Sequence, residues 1–180
     1  MGATYQKIRQ GIQSPSVGLL NIGAEARKGT KKTREAYQTL EQFCLTNPNE
    51  KIDFLGNVEG REVFQGKVDV LVTDGFTGNV FLKTCEGVSS FIMDMVKDRI
   101  GGIHSFQGID KYLDYTKYPG AILLGVEGVV VKCHGYSTPQ AMLNGIKGAY
   151  RLVQDDLIHK MQGHLKEVVQ TSSLLEYINK

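Results

Sequence analysis

The sequence predicts an α/β fold, a mostly parallel but mixed sheet with helices on both faces. Short apolar runs with the character of buried strands recur along the chain. Amphipathic helical patterns alternate with them, as in layered α/β proteins. Successive runs also end in polar, glycine-containing segments, and in open α/β sheets ligands collect at the carboxyl ends of the strands. At 180 residues, with 41% hydrophobic and 22% charged residues, the chain suits a single α/β domain spanning 1–180.

Val17 to Ile22 is a near-continuous apolar run, the pattern of a strand buried on both faces. Gly23 to Gly29 reads as a loop. Thr33 to Cys44 places Ala36, Leu40, Phe43 and Cys44 on one helical stripe, and Asn47-Pro48-Asn49 stops that helix. Ile52 to Leu55 is the next strand. Gly56 to Gly66 has room for a short helix at most before the strand at Val68 to Thr73. Asp74-Gly75-Phe76-Thr77-Gly78-Asn79 reads as a two-glycine turn. From Val80 to about Arg99 a helix follows, with Phe81, Cys85, Val88, Ile92 and Met95 as its apolar seam. Gly101 to Tyr118 is the least regular segment. Ala121 to Val126 and Val129 to Cys133, joined through Glu127-Gly128, suggest a β-hairpin, which makes the sheet mixed. Thr138-Pro139 is a helix start, and helical patterns run to about His159 and again to Tyr177.

Composition excludes several classes. A formal charge of +2 is too small to argue for nucleic acid. Cys44, Cys85 and Cys133 are odd in number and lie 41 and 48 residues apart, which fits reduced thiols in a cytoplasmic protein. Neither CxxC nor a histidine pair at metal-ligand spacing occurs, so no metal and no cofactor is expected. Met1 to Gln13 is polar and lacks the apolar core of a signal peptide. The strongest apolar stretch, Ala121 to Val131, is broken by Gly125, Glu127 and Gly128 and falls short of the ~18 residues of a membrane span.

The strand ends hold the candidate site. Asp74 to Asn79 joins a strand end to a helix start, where glycine lets backbone approach a ligand and unpartnered N–H groups favour an anion. Arg27 to Arg34 packs five cations into eight residues around another helix start. The helix dipole disfavours cations there, so the run points to a bound anion, an acidic partner or simply a solvated face. Lys28 stands apart, since it lies in the loop after the first strand beside Gly29. Glu59 and Arg61 follow the second strand and also suit a structural ion pair. His134-Gly135 ends the last strand.

The same segments carry a resemblance. LLNIG with Lys28-Gly29, GNVEGR (Gly56 to Arg61), DGFTGNVFLKTCEG (Asp74 to Gly87) and GAILLGVEGVVVKCHG (Gly120 to Gly135) resemble the PlsX family, the bacterial acyl-ACP:phosphate acyltransferases. The match runs in order from Met1 to about Val153. It implies transfer of a fatty acyl group from acyl carrier protein to inorganic phosphate, giving acyl phosphate for phospholipid synthesis. It also implies a fold akin to phosphate acetyltransferases and isopropylmalate dehydrogenases, a homodimer, and a downstream glycerol-phosphate acyltransferase. The implied location is cytoplasmic, with at most peripheral contact at the inner face of the membrane. The catalytic residues carry over to Lys28, Asp74 and Asn79. Gly23, Glu59, Arg61, Thr77, Gly78 and His134 carry over as substrate-binding positions. Such chemistry must hold phosphate beside a thioester carbonyl and stabilise the oxyanion that forms.

The chain departs from the family in length, resembling only its C-terminal half. That is the expectation for a fragment or a split gene product. Ala24 stands where an acidic residue is common, and Tyr136 replaces a small residue. Two other readings stay open: a non-catalytic module that keeps a phosphate or carrier-protein surface, and a nucleotide-binding dehydrogenase-like protein. Against the latter, no GxGxxG follows any strand.

Overall fold

A computed structural model describes residues 1–100, 120–135 and 137–171, with the side chains of 96–100 and 170–171 excepted. The irregular segment at 101–118, Tyr136 and the end of the last helical pattern at Tyr177 lie outside the described residues. The chain divides into two compact units, Met1–Asp74 with Leu157–Lys180, and Gly75–Asp156.

The first unit opens with helix α1 (Gly2–Gln10), ended by Gly11 in the left-handed region. Strand β1 (Ser16–Asn21) follows, then helix α2 (Lys31–Thr46), β2 (Asp53–Glu59) and β3 (Val70–Val72). Short 3₁₀ turns at Pro48–Glu50 and Val63–Gln65 sit in the connections. The strands form a parallel sheet in the order β2-β1-β3, which bears out the α/β class. The apolar run of β1 makes it the central strand, and Val17, Gly18, Leu19 and Leu20 are all buried. α2 packs on β2 and β1, while α1 packs against β3 and against the C-terminal helix of this unit.

α2 starts earlier than its apolar stripe. Thr30 is the N-cap, its hydroxyl accepting from the Thr33 amide at 3.2 Å. The helix stops at Asn47-Pro48, as expected. β2 runs four residues beyond the predicted Leu55, because a register shift against β1 lets pairing continue through Gly56 to Glu59. Asp69 ties the other side of the sheet. Its carboxylate accepts from the Ser16 amide at 2.8 Å and the Ser16 hydroxyl at 2.7 Å, joining the starts of β1 and β3.

The second unit holds α3 (Gly75–Ile100), the hairpin β4 (Ala121–Leu123) and β5 (Val130–Lys132), and α4 (Pro139–Gln154). The hairpin is antiparallel with Ile122 opposite Val131, and it forms its own two-stranded ladder instead of joining the parallel strands. Thr138 caps α4 by accepting from the Ala141 amide, and Pro139 takes the first turn. The break after α4 falls at Asp155-Asp156, before the predicted His159. Asp156 adopts φ +53, a left-handed conformation that ends the helix and admits the next. α5 (Leu157–Thr171) belongs to the first unit, where Leu157, Met161 and Val168 are buried at helical spacing.

α3 departs most from expectation. It begins at Gly75 and not Val80, so Gly75 and Gly78 are helical residues. Asp74 immediately precedes it, a residue type that favours the N-cap. Its apolar seam is only half covered: Phe81 and Cys85 are partly buried, whereas Val88, Ile92 and Met95 are exposed. No described helix is long and apolar enough to cross a membrane.

Candidate functional site

Parallel pairing sets three strand ends on one rim of the first unit. Asn21 at the end of β1 is in register with Glu59 at the end of β2, and Val72 of β3 pairs with Leu19. Asp74 lies two residues past β3. The rim therefore gathers the 22–29 loop with Lys28, the Glu59–Arg61 turn and Asp74.

The 22–29 loop is built around its backbone. Asn21 Oδ1 accepts from the Ile22 amide at 2.8 Å, and Asn21 Nδ2 donates to the Lys28 carbonyl at 3.1 Å. The Lys28 amide donates to the Glu25 carbonyl at 3.0 Å, closing a turn. Asn57 Nδ2 donates to that same carbonyl at 2.8 Å. Gly29 has φ +86, and a Cβ there would lie 2.6 Å from Asn21 Oδ1, so glycine is favoured on two counts. Gly23 is buried, and a Cβ on it would meet Glu25 Oε2 at 2.8 Å and Lys28 Cγ at 3.3 Å. Its visible role is thus to leave room for the Glu25–Lys28 pair.

That pair brings Lys28 Nζ to 3.8 Å from Glu25 Oε1, with the two side chains 44% and 57% exposed. Glu25 supplies the acidic partner that Ala24 does not. The cations at the start of α2 are also paired locally. Lys31 reaches Glu35 at 3.7 Å, and Arg34 Nη1 donates to the Gly29 carbonyl at 2.6 Å. Those contacts offset the unfavourable dipole and remove part of the reason to invoke an anion there. Arg61 pairs with Glu59 at 3.2 Å, the structural ion pair weighed from the sequence. Glu59 is also fixed through its backbone, its amide donating to the Glu62 carboxylate at 3.0 Å.

The remaining candidates lie in the second unit. Thr77, Gly78 and Asn79 fall in the first turns of α3. With the helix starting at Gly75, its first turn opens with Gly75, Phe76 and Thr77, ahead of Gly78 and Asn79. The Asn79 amide lies inside the helical ladder, and its side chain is exposed. His134 follows β5. Its Nε2 lies 3.4 Å from Lys83 Nζ, and Lys83 also pairs with Glu86 at 2.7 Å. Among the described residues no group of three or more His, Cys, Asp or Glu side chains is placed to hold a metal ion. Burial pushes the Cys44 and Cys85 thiols up from their ordinary values, so neither is an activated nucleophile.

Sequence reasoning passed over Asn21, Glu25 and Asn57. Asn21 is a polar residue closing the apolar run of β1, and Asn57 follows the apolar run of β2, the only hint available before the loop contacts are seen.

The family model described as fatty acid synthesis protein matches residues 1–160. The chain belongs to this family. It is similar to proteins named phosphate acyltransferase. That of Chlamydia caviae is 40% identical over 154 residues, 86% of this chain and 45% of the relative. That of Chlamydia muridarum is 44% identical over 158 residues, 87% and 46%. That of Desulforamulus reducens is 40% identical over 176 residues, 92% and 51%. The chain spans about half the length of the curated relatives it matches. The matched region includes both the Lys28 loop and the start of α3.

Proposed function

We propose that the chain carries the phosphate side of an acyl-ACP:phosphate acyltransferase, with Lys28 as the anion contact. The observation that carries this reading is the Lys28 loop itself. A half-exposed ammonium stands at a strand-end rim, on a backbone turn pinned by two asparagines, within a family whose relatives are named phosphate acyltransferase. A phosphate oxygen attacks the thioester carbonyl, the tetrahedral oxyanion collapses, and the carrier thiolate leaves and takes up a proton. Lys28 holds the nucleophile's charge, and Asp74 shapes the rim. Asn79 orients the phosphate or donates to the oxyanion. Glu59, Arg61, Gly23, Thr77, Gly78 and His134 belong to substrate binding in the same proposal. The acyl donor is an acidic carrier protein, which the cations of 27–34 suit electrostatically. The working form is a homodimer in the cytoplasm, at most peripheral to a membrane, and its acyl phosphate feeds a glycerol-phosphate acyltransferase.

The test separates phosphate binding from turnover. Inorganic phosphate binding to the 180-residue chain, followed by ³¹P line broadening, falls about tenfold or more in Lys28→Ala, since a charge-assisted hydrogen bond contributes about 1.5–3 kcal/mol. Circular dichroism checks that the fold is intact. Equal phosphate affinity in wild type and variant removes Lys28 from the site. Phosphate-dependent release of carrier thiol, assayed with a full-length relative bearing the matching substitution, then tests the reaction itself.

A further inference from the structure

We propose that Asn57 is a positioning residue that sets Lys28 for phosphate, an inference that rests on the reading of Lys28 just given. The geometry starts one residue earlier. Between Val17 and Gly18 the β1–β2 register slips, so that Leu55 is an extra residue and Gly56 pairs with Gly18. Gly56, next to the extra residue, takes φ +80, a conformation that favours glycine. Bulges re-aim the side chains that follow them, and here Asn57 and Val58 are both buried past the bulge.

Asn57 is 5% exposed, and its Nδ2 reaches the Glu25 carbonyl at 2.8 Å across 32 residues of chain. The Glu25 carbonyl is also the acceptor of the Lys28 amide, and the Glu25 carboxylate is the ion-pair partner of the Lys28 ammonium. One buried amide of β2 thus anchors the residue that holds Lys28 both by backbone and by side chain. Among the described residues, Asn57 Oδ1 is buried with no hydrogen-bond partner. An apolar side chain of similar size would avoid that desolvation penalty, so packing alone does not favour an amide here. What the amide adds is the bond to Glu25. The second tie, from Asn21 to the Lys28 carbonyl, closes the loop from the other strand.

Two variants of the 180-residue chain test this. Asn57→Ala removes the donor and leaves a void. Asn57→Leu removes the donor and restores the volume. The readouts are hydrogen exchange at the Lys28 amide, exchange at the β1 amides, and affinity for inorganic phosphate. In both variants the Lys28 amide exchanges about tenfold faster and phosphate binds about tenfold more weakly, while β1 keeps its protection. Wild-type exchange and affinity in Asn57→Leu would overturn the proposal, because packing would then be the whole role. Unchanged exchange at Lys28 in both variants would overturn it as well. Faster exchange with unchanged phosphate affinity would leave the mechanical tie standing and overturn the phosphate reading of Lys28.

Discussion

Replacing Gly29 by alanine probes whether the Lys28 loop depends on backbone placement. An L residue at φ +86 pays about 1–2 kcal/mol. The new Cβ would also lie 2.6 Å from Asn21 Oδ1 and 2.9 Å from Asn21 Nδ2, too close for Asn21 to stay. Asn21 then releases the Ile22 amide and the Lys28 carbonyl, two bonds that contribute about 0.5–1.5 kcal/mol each. The sum is a destabilisation of roughly 2–5 kcal/mol, a large part of the ~5–15 kcal/mol typical of a folded domain. Urea titration followed by circular dichroism reads it as a lower midpoint at unchanged slope. Gly66→Ala is the control for backbone strain alone, since Gly66 has φ +69 and nothing within 4 Å of an added Cβ. Gly75→Ala is the opposite control. Gly75 lies in α3, where an added Cβ would meet no described atom outside its own turn within 4 Å, so alanine there is neutral or stabilises by up to ~1 kcal/mol. A Gly29→Ala loss no larger than that of Gly66→Ala would refute the role given to Asn21. A clear loss in Gly75→Ala would refute a helix start at Gly75.

Three further outcomes are expected. The Ser16 amide and hydroxyl hold the Asp69 carboxyl below its ordinary value, so its stabilisation is complete above the unfolded pKa of about 4 and is lost as pH falls through the lower folded value. Asp69→Asn should therefore melt lower than wild type at pH 7 and converge with it in acid; a pH-independent gap would reject the charge-assisted bond. The exposed apolar side chains of α3, among them Leu82, Phe91 and Ile92, are proposed as the homodimer contact. Sedimentation should show a wild-type dimer that Phe91→Asp dissociates, and a wild-type monomer at micromolar concentration would exclude the contact. Glu25→Gln frees the Lys28 ammonium from its carboxylate partner and should tighten phosphate binding several-fold, whereas weaker binding would mean that Glu25 itself is needed to hold the anion.

Features governed by local chemistry were legible in the sequence. The Asn47-Pro48 stop and the Thr138-Pro139 start act within one helical turn, and both stand where expected. The continuous apolar run of β1 announced a strand buried on both faces, because only such a strand needs apolar residues without alternation. Features set by pairing were not. β2 continues through Gly56 only because a neighbouring strand accepts its shifted register, which no local pattern encodes. Glycines at 75 and 78 read as a turn, yet Asp74 and the long pattern after them favour a helix strongly enough to absorb both. The seam of α3 illustrates a different limit. Periodicity tells which residues share a face but not what covers it, and Val88, Ile92 and Met95 are left open. The candidate site divides the same way. Lys28 was visible from its place beside Gly29, whereas the ties from Asn21 and Asn57 span 7 and 32 residues and emerge only from the folded sheet.

Under the proposed role of Lys28, its ammonium, already paired with a carboxylate, must still take an incoming anion. The Glu25–Lys28 contact is long and exposed, and such surface pairs contribute about 0–1 kcal/mol. A charge-assisted hydrogen bond to an anion contributes about 1.5–3 kcal/mol. Exchange of partners is therefore downhill for the ammonium, although the carboxylate left behind repels the same anion and trims the gain. What does not exchange is the backbone. The carbonyls of Glu25 and Lys28 stay bonded to the buried amide of Asn57 and to Asn21, whichever partner the ammonium takes. Two kinds of contact are thus assigned to different atoms of one loop, with tied carbonyls setting the origin from which a half-exposed side chain reaches. In the proposed reaction a co-substrate must bind, react and leave as part of a larger product, and that division would suit it, because the carbonyl placement would survive each turnover while the ion pair is remade.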